Sequence, residues 1–245
     1  MKVKITILSL MAFVCFIQTA HAQTDQHSKE QAMLKGWKAG EKVSLKSIGQ
    51  FGPENCFQIL GIDDALFSRM QGKSFKKNCT TPREDLRYLK VLHYNLDGNV
   101  CLGEIVCNKG ISKDLIEIFK TLYDAKYPIE RMVLIDDYDA DDERSMAANN
   151  SSGFNFRFIA GTKRLSNHSQ GNAIDINPIY NPYVKNKGGT LFVSPSAGKK
   201  YADRKKDFPY KIDHNDLCYK EFIKRGFIWG GDWTTLKDYQ HFEKK

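Results

Sequence analysis

Two histidines and two aspartates set the chemistry open to this chain. His168 and Asp175 lie seven positions apart across Gly171, and Asp238 and His241 stand three apart near the C-terminus. Gly171 lets the chain bend, and Ala173 to Ile176 then reads as a strand, with Ile174 and Ile176 toward a core and Ala173 and Asp175 toward the opposite side. That alternation aims the Asp175 carboxylate into a cleft. His168, Asp175 and His241 make a set of two nitrogens and one oxygen, a three-ligand shell that leaves the fourth position of a zinc ion open to water. An open position points to catalysis. Any one of the three residues alone reads as an ordinary polar loop or turn residue; the combination carries the reading.

The spacing SxHxxGxAxD from Ser166 to Asp175, followed by DxxHFE from Asp238 to Glu243, resembles the zinc D-alanyl-D-alanine carboxypeptidase and L-alanyl-D-glutamate endopeptidase family. The resemblance extends through Tyr127-Pro128-Ile129-Glu130-Arg131-Met132, Asn149 to Arg157, Asn177-Pro178, Asn181-Pro182-Tyr183 and Trp229-Gly230-Gly231-Asp232-Trp233, in the family's order, over roughly residues 85 to 243. It implies one zinc per chain on His168, Asp175 and His241, and peptidoglycan stem peptides as the partner. Zinc-bound water is then the nucleophile, and Asp238, at the family's DxxH position, is its general base.

Further roles follow from the same resemblance. The best-known members carry a Gly-Tyr-Arg motif in an earlier strand, where this chain has Asp136-Asp137-Tyr138. Arg157 either substitutes for that arginine at the oxyanion or binds a substrate carboxylate. Ser166 bonds within its loop or contacts substrate, and Trp229 or Trp233 floors the groove, with Trp233 as the substrate-binding candidate. Glu243, two beyond His241, is placed to orient the ligand imidazole. Two classes of function fit: a zinc peptidase of the cell wall, or a peptidoglycan-binding module that keeps the zinc fold without turnover. A base at Asp238 beside a complete ligand set favours the enzyme, since a binder has no use for one.

Around this site the chain must build a scaffold. At 245 residues, 41% hydrophobic and 12% aromatic, it is long enough for one sizeable core and has no disordered or collagenous composition. Lys2 and Lys4 precede a 13-residue apolar run from Ile5 to Ile17, and Ala20-His21-Ala22 matches a small-residue cleavage site. The run is too short to cross ~30 Å of hydrocarbon, so residues 1–22 read as a secretory signal, with no stable membrane insertion after cleavage and a periplasmic or secreted product. Losing Lys2 and Lys4 takes Lys+Arg from 37 to 35 against 29 acids, a mature net charge of +6. The basic residues are scattered rather than striped, which argues against nucleic acid.

The domain plan is a flexible polar arm over 23–43 and a zinc peptidase domain over 44–245. Thr81-Pro82-Arg83-Glu84 reads as a capping box that starts a short helix. Leu89–Leu96 and Val100–Val106 around Asp97-Gly98-Asn99 read as a hairpin. Ser112 caps a helix with Leu115, Ile118, Phe119 and Leu122 on one face, and Pro128 ends it. Ile129–Ile135 reads as a core strand, and 136–143 as a solvated acidic loop at the cleft rim. Counted from Asp137, the sixth residue is Asp142 and the twelfth Ala148, so this is no calcium loop. Phe154 to Ile159 alternates as a strand that turns Asn155 and Arg157 away from Phe154, Phe156 and Phe158. Residues 180–213 form the longest irregular segment, a lid or groove wall, and Leu217–Lys224 is a short helix closed by Gly226. Five cysteines remain after residue 22, with Cys56–Cys79 as the preferred bridge. The fold class is α+β, an antiparallel sheet carrying the zinc site with helices on its other face.

Overall fold

The computed structural model describes residues 25–159 and 161–244, so the expected signal over 1–22 lies outside the described residues. Helix α1 covers 25–36, followed by α2 (Leu45–Phe51), β1 (Gln58–Leu60), α3 (Asp64–Met70), β2 (Leu86–Tyr94), β3 (Val100–Asn108) and α4 (Ser112–Asp124). Then come α5 (Asp142–Ala147), β4 (Ala173–Asp175), β5 (Tyr183–Lys187), β6 (Thr190–Ser194), α6 (Leu217–Lys224), β7 (Ile228–Trp229), β8 (Lys237–Asp238) and β9 (His241–Glu243). Among the described residues no helix is long and apolar enough to cross a membrane.

The fold is α+β, but its strands form three small antiparallel sheets, β1-β2-β3, β4-β9-β7 and β6-β5-β8, in place of the single sheet expected. Short strands broken by glycine turns cannot extend one ladder, and each group of three finds its own partners. The expected hairpin is the central element. Its register runs from Leu86↔Asn108 to Tyr94↔Val100, and the turn is closed by Asn95, whose side chain accepts from the Asp97 and Asn99 amides. Both faces of the hairpin are covered. Leu89, Val91, Ile105 and Cys107 pack with the apolar stripe of α4 and with Phe222, Phe227 and Phe242, whereas Leu86, Tyr88, Leu92, Leu102 and Val106 pack with Leu34, Trp37, Met70, Phe154 and Phe156. Helices therefore lie on both sides of this sheet, not one.

Several local expectations are corrected. The polar arm is instead helix α1 and the turn after it, with Leu34 and Trp37 buried, the Trp37 Nε1 donating to Gly103 O at 2.9 Å and Glu30 accepting from Ser44. Its polar residues fill the outer face while a few apolar side chains dock inward. The capping-box helix is only a 3-10 turn at Arg83–Asp85, because the Thr81 hydroxyl is spent on Ser169 O at 2.7 Å. Ser112 is the first residue of α4 rather than its cap, its hydroxyl donating to Lys109 O. Ile129 and Met132–Ile135 are buried around an exposed Arg131, but the segment joins no ladder, meeting its neighbours through single bridges at Pro128 and Arg131.

The acidic segment is not a solvated loop at its start. Asp136 is buried, and its carboxylate accepts from the Ser74 amide and hydroxyl at 3.0 Å each. Burial, opposed by those bonds, raises its pKa. Phe154 to Phe158 keeps the expected alternation only in part and without a ladder: Phe154 and Phe156 are buried, Asn155 is buried too and bonds toward α5, and Phe158 is exposed. Residues 180–213 begin with the β5–β6 hairpin and continue into a 3-10 turn at Ser196–Tyr201, so the segment is only partly irregular. Cys56 and Cys79 are free, as are Cys101, Cys107 and Cys218; the Cys56 and Cys79 thiols face the Gly52 and Thr81 carbonyls instead of each other.

The docking of α1 is directly testable. Leu34 is fully buried, so Leu34→Ala should cost about 2–5 kcal/mol in denaturant unfolding. A loss under about 0.5 kcal/mol, the range of surface substitutions, would return 25–43 to the status of a loose arm.

Candidate metal centre

The site is assembled by a one-turn 3-10 helix, Asn167–Gln170, that projects His168. Ser166 caps it, its hydroxyl accepting from the His168 amide at 3.4 Å, and Gly171 ends it with φ 72°, a left-handed conformation that suits glycine. Gly171 is held by a second constraint. Its carbonyl accepts from the Asn108 amide at 2.8 Å, and a Cβ on it would lie 2.5 Å from that same nitrogen at the end of β3. The turn is thus locked to the central hairpin, and the chain leaves it directly as β4.

In β4 and β9 the register pairs Ala173 with Glu243, Ile174 with Phe242 and Asp175 with His241. Side chains alternate, so Ile174 and Phe242 enter the core, Phe242 stacking on Phe222 with ring centroids 4.2 Å apart. Asp175, His241 and Glu243 are left on the opposite face. The outcome is a compact buried cluster. His168 Nε2 lies 3.2 Å from His241 Nδ1 and 3.3 Å from an Asp175 oxygen, and His241 Nδ1 lies 3.0 Å from the other Asp175 oxygen.

The outer atoms of both rings are already committed. His168 Nδ1 is 2.7 Å from Gly153 O, an acceptor only, so Nδ1 carries the proton and Nε2 presents a lone pair. Gly153 can bring that carbonyl so close because a side chain there would collide with Val106 O. His241 Nε2 is 3.0 Å from Glu243, which also accepts from Asn167 Nδ2. The His168 Nε2 lone pair, the His241 ring and a carboxylate therefore converge in a buried space that calls for a shared positive charge, a proton on His241 or a metal ion. Burial opposes the charge of His241, but the bonds to Asp175 and Glu243 push its pKa up to about 10. Burial would raise Asp175, and the facing histidines hold it far below the usual carboxylate range. The three donor atoms lie within 4.8 Å of one another. A set of two imidazole nitrogens and one carboxylate, with the rings oriented from behind, fits zinc in chemistry and count.

Asp238 sits on the neighbouring sheet, in β8 opposite Tyr183 of β5. Burial, and then the negative charge of Asp175, push its carboxyl up to about 6, and it also feels the charges of His241 and His168. Its Oδ1 is buried with no hydrogen-bond partner among the described residues, as is Gln240 Oε1 nearby in sequence. Gly230 sits against it so tightly that a Cβ would lie 2.6 Å from Asp238 O and 2.9 Å from Asp238 Cβ. The Trp233 ring is half-buried and 5.2 Å from the His241 ring, whereas Trp229 is a core residue with its Nε1 on Tyr239 O.

Arg157 has a partner that its alternation did not show, and Ser166 takes the loop-bonding one of its two expected roles. The Arg157 guanidinium pairs through Nε with Asp142 at the start of α5, and Ser166 is buried with its hydroxyl spent on the turn. Sequence reasoning missed Gly153, whose carbonyl fixes one imidazole, as well as Asn167, Gln240 and Asp142. Only Gly153 carried a signal, as a glycine opening an alternating apolar segment.

Gly171→Ala should displace the His168 turn, since both its φ and its contact with Asn108 exclude a side chain. Its strain, about 1–3 kcal/mol, should appear as a lower melting temperature together with weakened metal uptake in a dialysis measurement. Wild-type metal uptake by this variant would show that the turn can re-form elsewhere.

Comparison with known proteins places a boundary on the resemblance. No curated protein and no solved structure gives a significant match. A family model described as D-alanyl-D-alanine carboxypeptidase matches residues 160–244, a shorter span than the motifs from 85 onward suggested. Because those residues hold His168, Asp175, Asp238 and His241, the part of the chain that carries the candidate centre is similar to the D-alanyl-D-alanine carboxypeptidase family.

Proposed function

We propose that the protein is an exported zinc peptidase that hydrolyses a peptide bond in peptidoglycan stem peptides. One observation carries the reading: two imidazoles and a carboxylate converge, buried and oriented from behind, within the segment similar to D-alanyl-D-alanine carboxypeptidases. His168, His241 and Asp175 would hold the zinc, which would supply Lewis acidity to water and to the scissile carbonyl.

The chain's own groups do the rest. Asp238 takes the proton that water loses on attack and passes it to the departing amine, acting as general base and then as general acid. Glu243 and the Gly153 carbonyl keep the imidazoles from rotating, and Trp233 walls the cleft beside His241. Arg157 receives the terminal carboxylate of the substrate, which favours release of a C-terminal residue over internal cleavage.

Purified protein should hold close to one zinc per chain by elemental analysis, and His168→Ala and His241→Ala should lose it. Asp238→Asn should keep its zinc while muropeptide hydrolysis, followed by mass spectrometry, falls by about 10²- to 10⁴-fold. Loss of zinc in Asp238→Asn would make Asp238 a ligand, and an unchanged rate would remove it as the base. A zinc-loaded wild type that binds muropeptides and releases nothing would make the protein a binding module.

A further inference from the structure

Arg157 reaches its place through an unexpected partner. Asn155 and Arg157 are alternate residues of one extended segment, so their side chains leave the backbone on the same side. A single carboxylate faces both: Asp142 Oδ1 accepts from Asn155 Nδ2 at 3.0 Å, and Asp142 Oδ2 forms an ion pair, not a hydrogen bond, with Arg157 Nε. The segment itself is fixed next to the ligand turn, with the Asn155 amide donating to His168 O at 3.1 Å and the Arg157 amide to Ser169 Oγ at 2.8 Å.

The carboxylate is as well anchored as the segment it holds. Asp142 opens α5 directly after its cap Asp141, which accepts from the Arg144 amide at 3.0 Å. The next residue, Glu143, takes the Ser194 hydroxyl at 2.8 Å and the Ser196 amide at 2.9 Å, tying the same turn to the end of β6. Among the described residues no hydrogen bond engages any guanidinium nitrogen of Arg157; its buried Nε faces Asp142 through the ion pair alone, which holds that edge and leaves the terminal nitrogens for a planar, two-oxygen acceptor.

We propose that Asp142 is a positioning residue: together with Asn155 it clamps the Nε edge of Arg157 so that the terminal nitrogens are presented, pre-ordered, to a substrate carboxylate. The proposal rests on the peptidase reading for the identity of that carboxylate. Asp142 touches no reacting atom and acts only through Arg157. Pre-ordering removes the cost of immobilising a long side chain during binding, worth about 3- to 10-fold in affinity.

The test is a double-mutant cycle read three ways. Asp142→Ala should raise KM for a stem pentapeptide by about 3- to 10-fold with kcat and zinc content nearly unchanged, and Asp142→Glu should recover part of the loss. In an Arg157→Ala background, Asp142→Ala should have no further effect. An effect of Asp142→Ala that is as large without Arg157 as with it, or a fall in kcat alone, would overturn the proposal. Independently of turnover, the Arg157 Nε–H proton should be protected from exchange by NMR in the wild type and in Arg157-retaining Asp142→Glu, and exposed in Asp142→Ala. Protection that persists in Asp142→Ala would also overturn it. A protected Nε–H in a wild type that neither cleaves nor binds stem peptide would leave the clamp standing and remove the peptidase reading instead.

Discussion

Everything at the site depends on the register between β4 and β9. A slip of one residue would send Asp175 and His241 into the core and bring Ile174 and Phe242 into the cleft. The hydrophobic effect prevents the slip. Phe242 is fully buried against Phe222 and Trp229, and Ile174 is fully buried beside it, and exposing two such side chains costs about 3–6 kcal/mol at ~1.5–3 kcal/mol each. The apolar face thus sets where the polar face must point. Gly171 adds the third donor at a fixed distance, because the same hairpin that fills the core also receives the glycine turn through Asn108.

That arrangement carries a cost that a bound cation would offset. A fold seeking stability alone would not bury two imidazoles and a carboxylate with their lone pairs facing one another. Here Gly153 O places the His168 proton on its outer nitrogen and Glu243 takes the outer nitrogen of His241, so the inner face gathers the His168 lone pair and the Asp175 carboxylate around His241 Nδ1. Without a cation, His241 must hold a proton well past its ordinary range for Asp175 to stay charged. A divalent ion on the three donors relieves the same conflict without tying the site to one protonation state.

How much of this was legible follows from physical range. The ligand set, the strand alternation at Ala173–Ile176 and the hairpin around Gly98 are local patterns, and the structure brings His168, Asp175 and His241 together. The sheet division was not legible, because which short strands pair is decided by long-range packing. Helix α1 was hidden by its composition: its apolar residues are few, and only the finished groove under Trp37 explains why they suffice. Arg157 read as a cleft arginine because alternation gave its side but not its partner. Asp142 lies fifteen positions away in a run of acids that looked uniformly solvated, although Asp136 is buried and Asp142 is spoken for.

The spacing between Asp238 and His241 illustrates the same limit from the other side. In an unbroken strand, residues three apart project to opposite faces, and a base and a ligand could not share one cleft. The chain avoids this by changing sheets between them: β8 ends at Asp238 in the ladder with β5, and β9 begins at His241 in the ladder with β4. The bend is pinned at both its residues, Tyr239 O receiving the Trp229 indole and Gln240 O receiving the Ile176 amide. Gly230 then lets the chain lie against Asp238 where no side chain would fit. The glycines and tryptophan of Trp229-Gly230-Gly231 therefore shape the candidate site without entering the His168, Asp175 and His241 cluster, because they support the change of sheet that lets Asp238 sense Asp175 and both histidines.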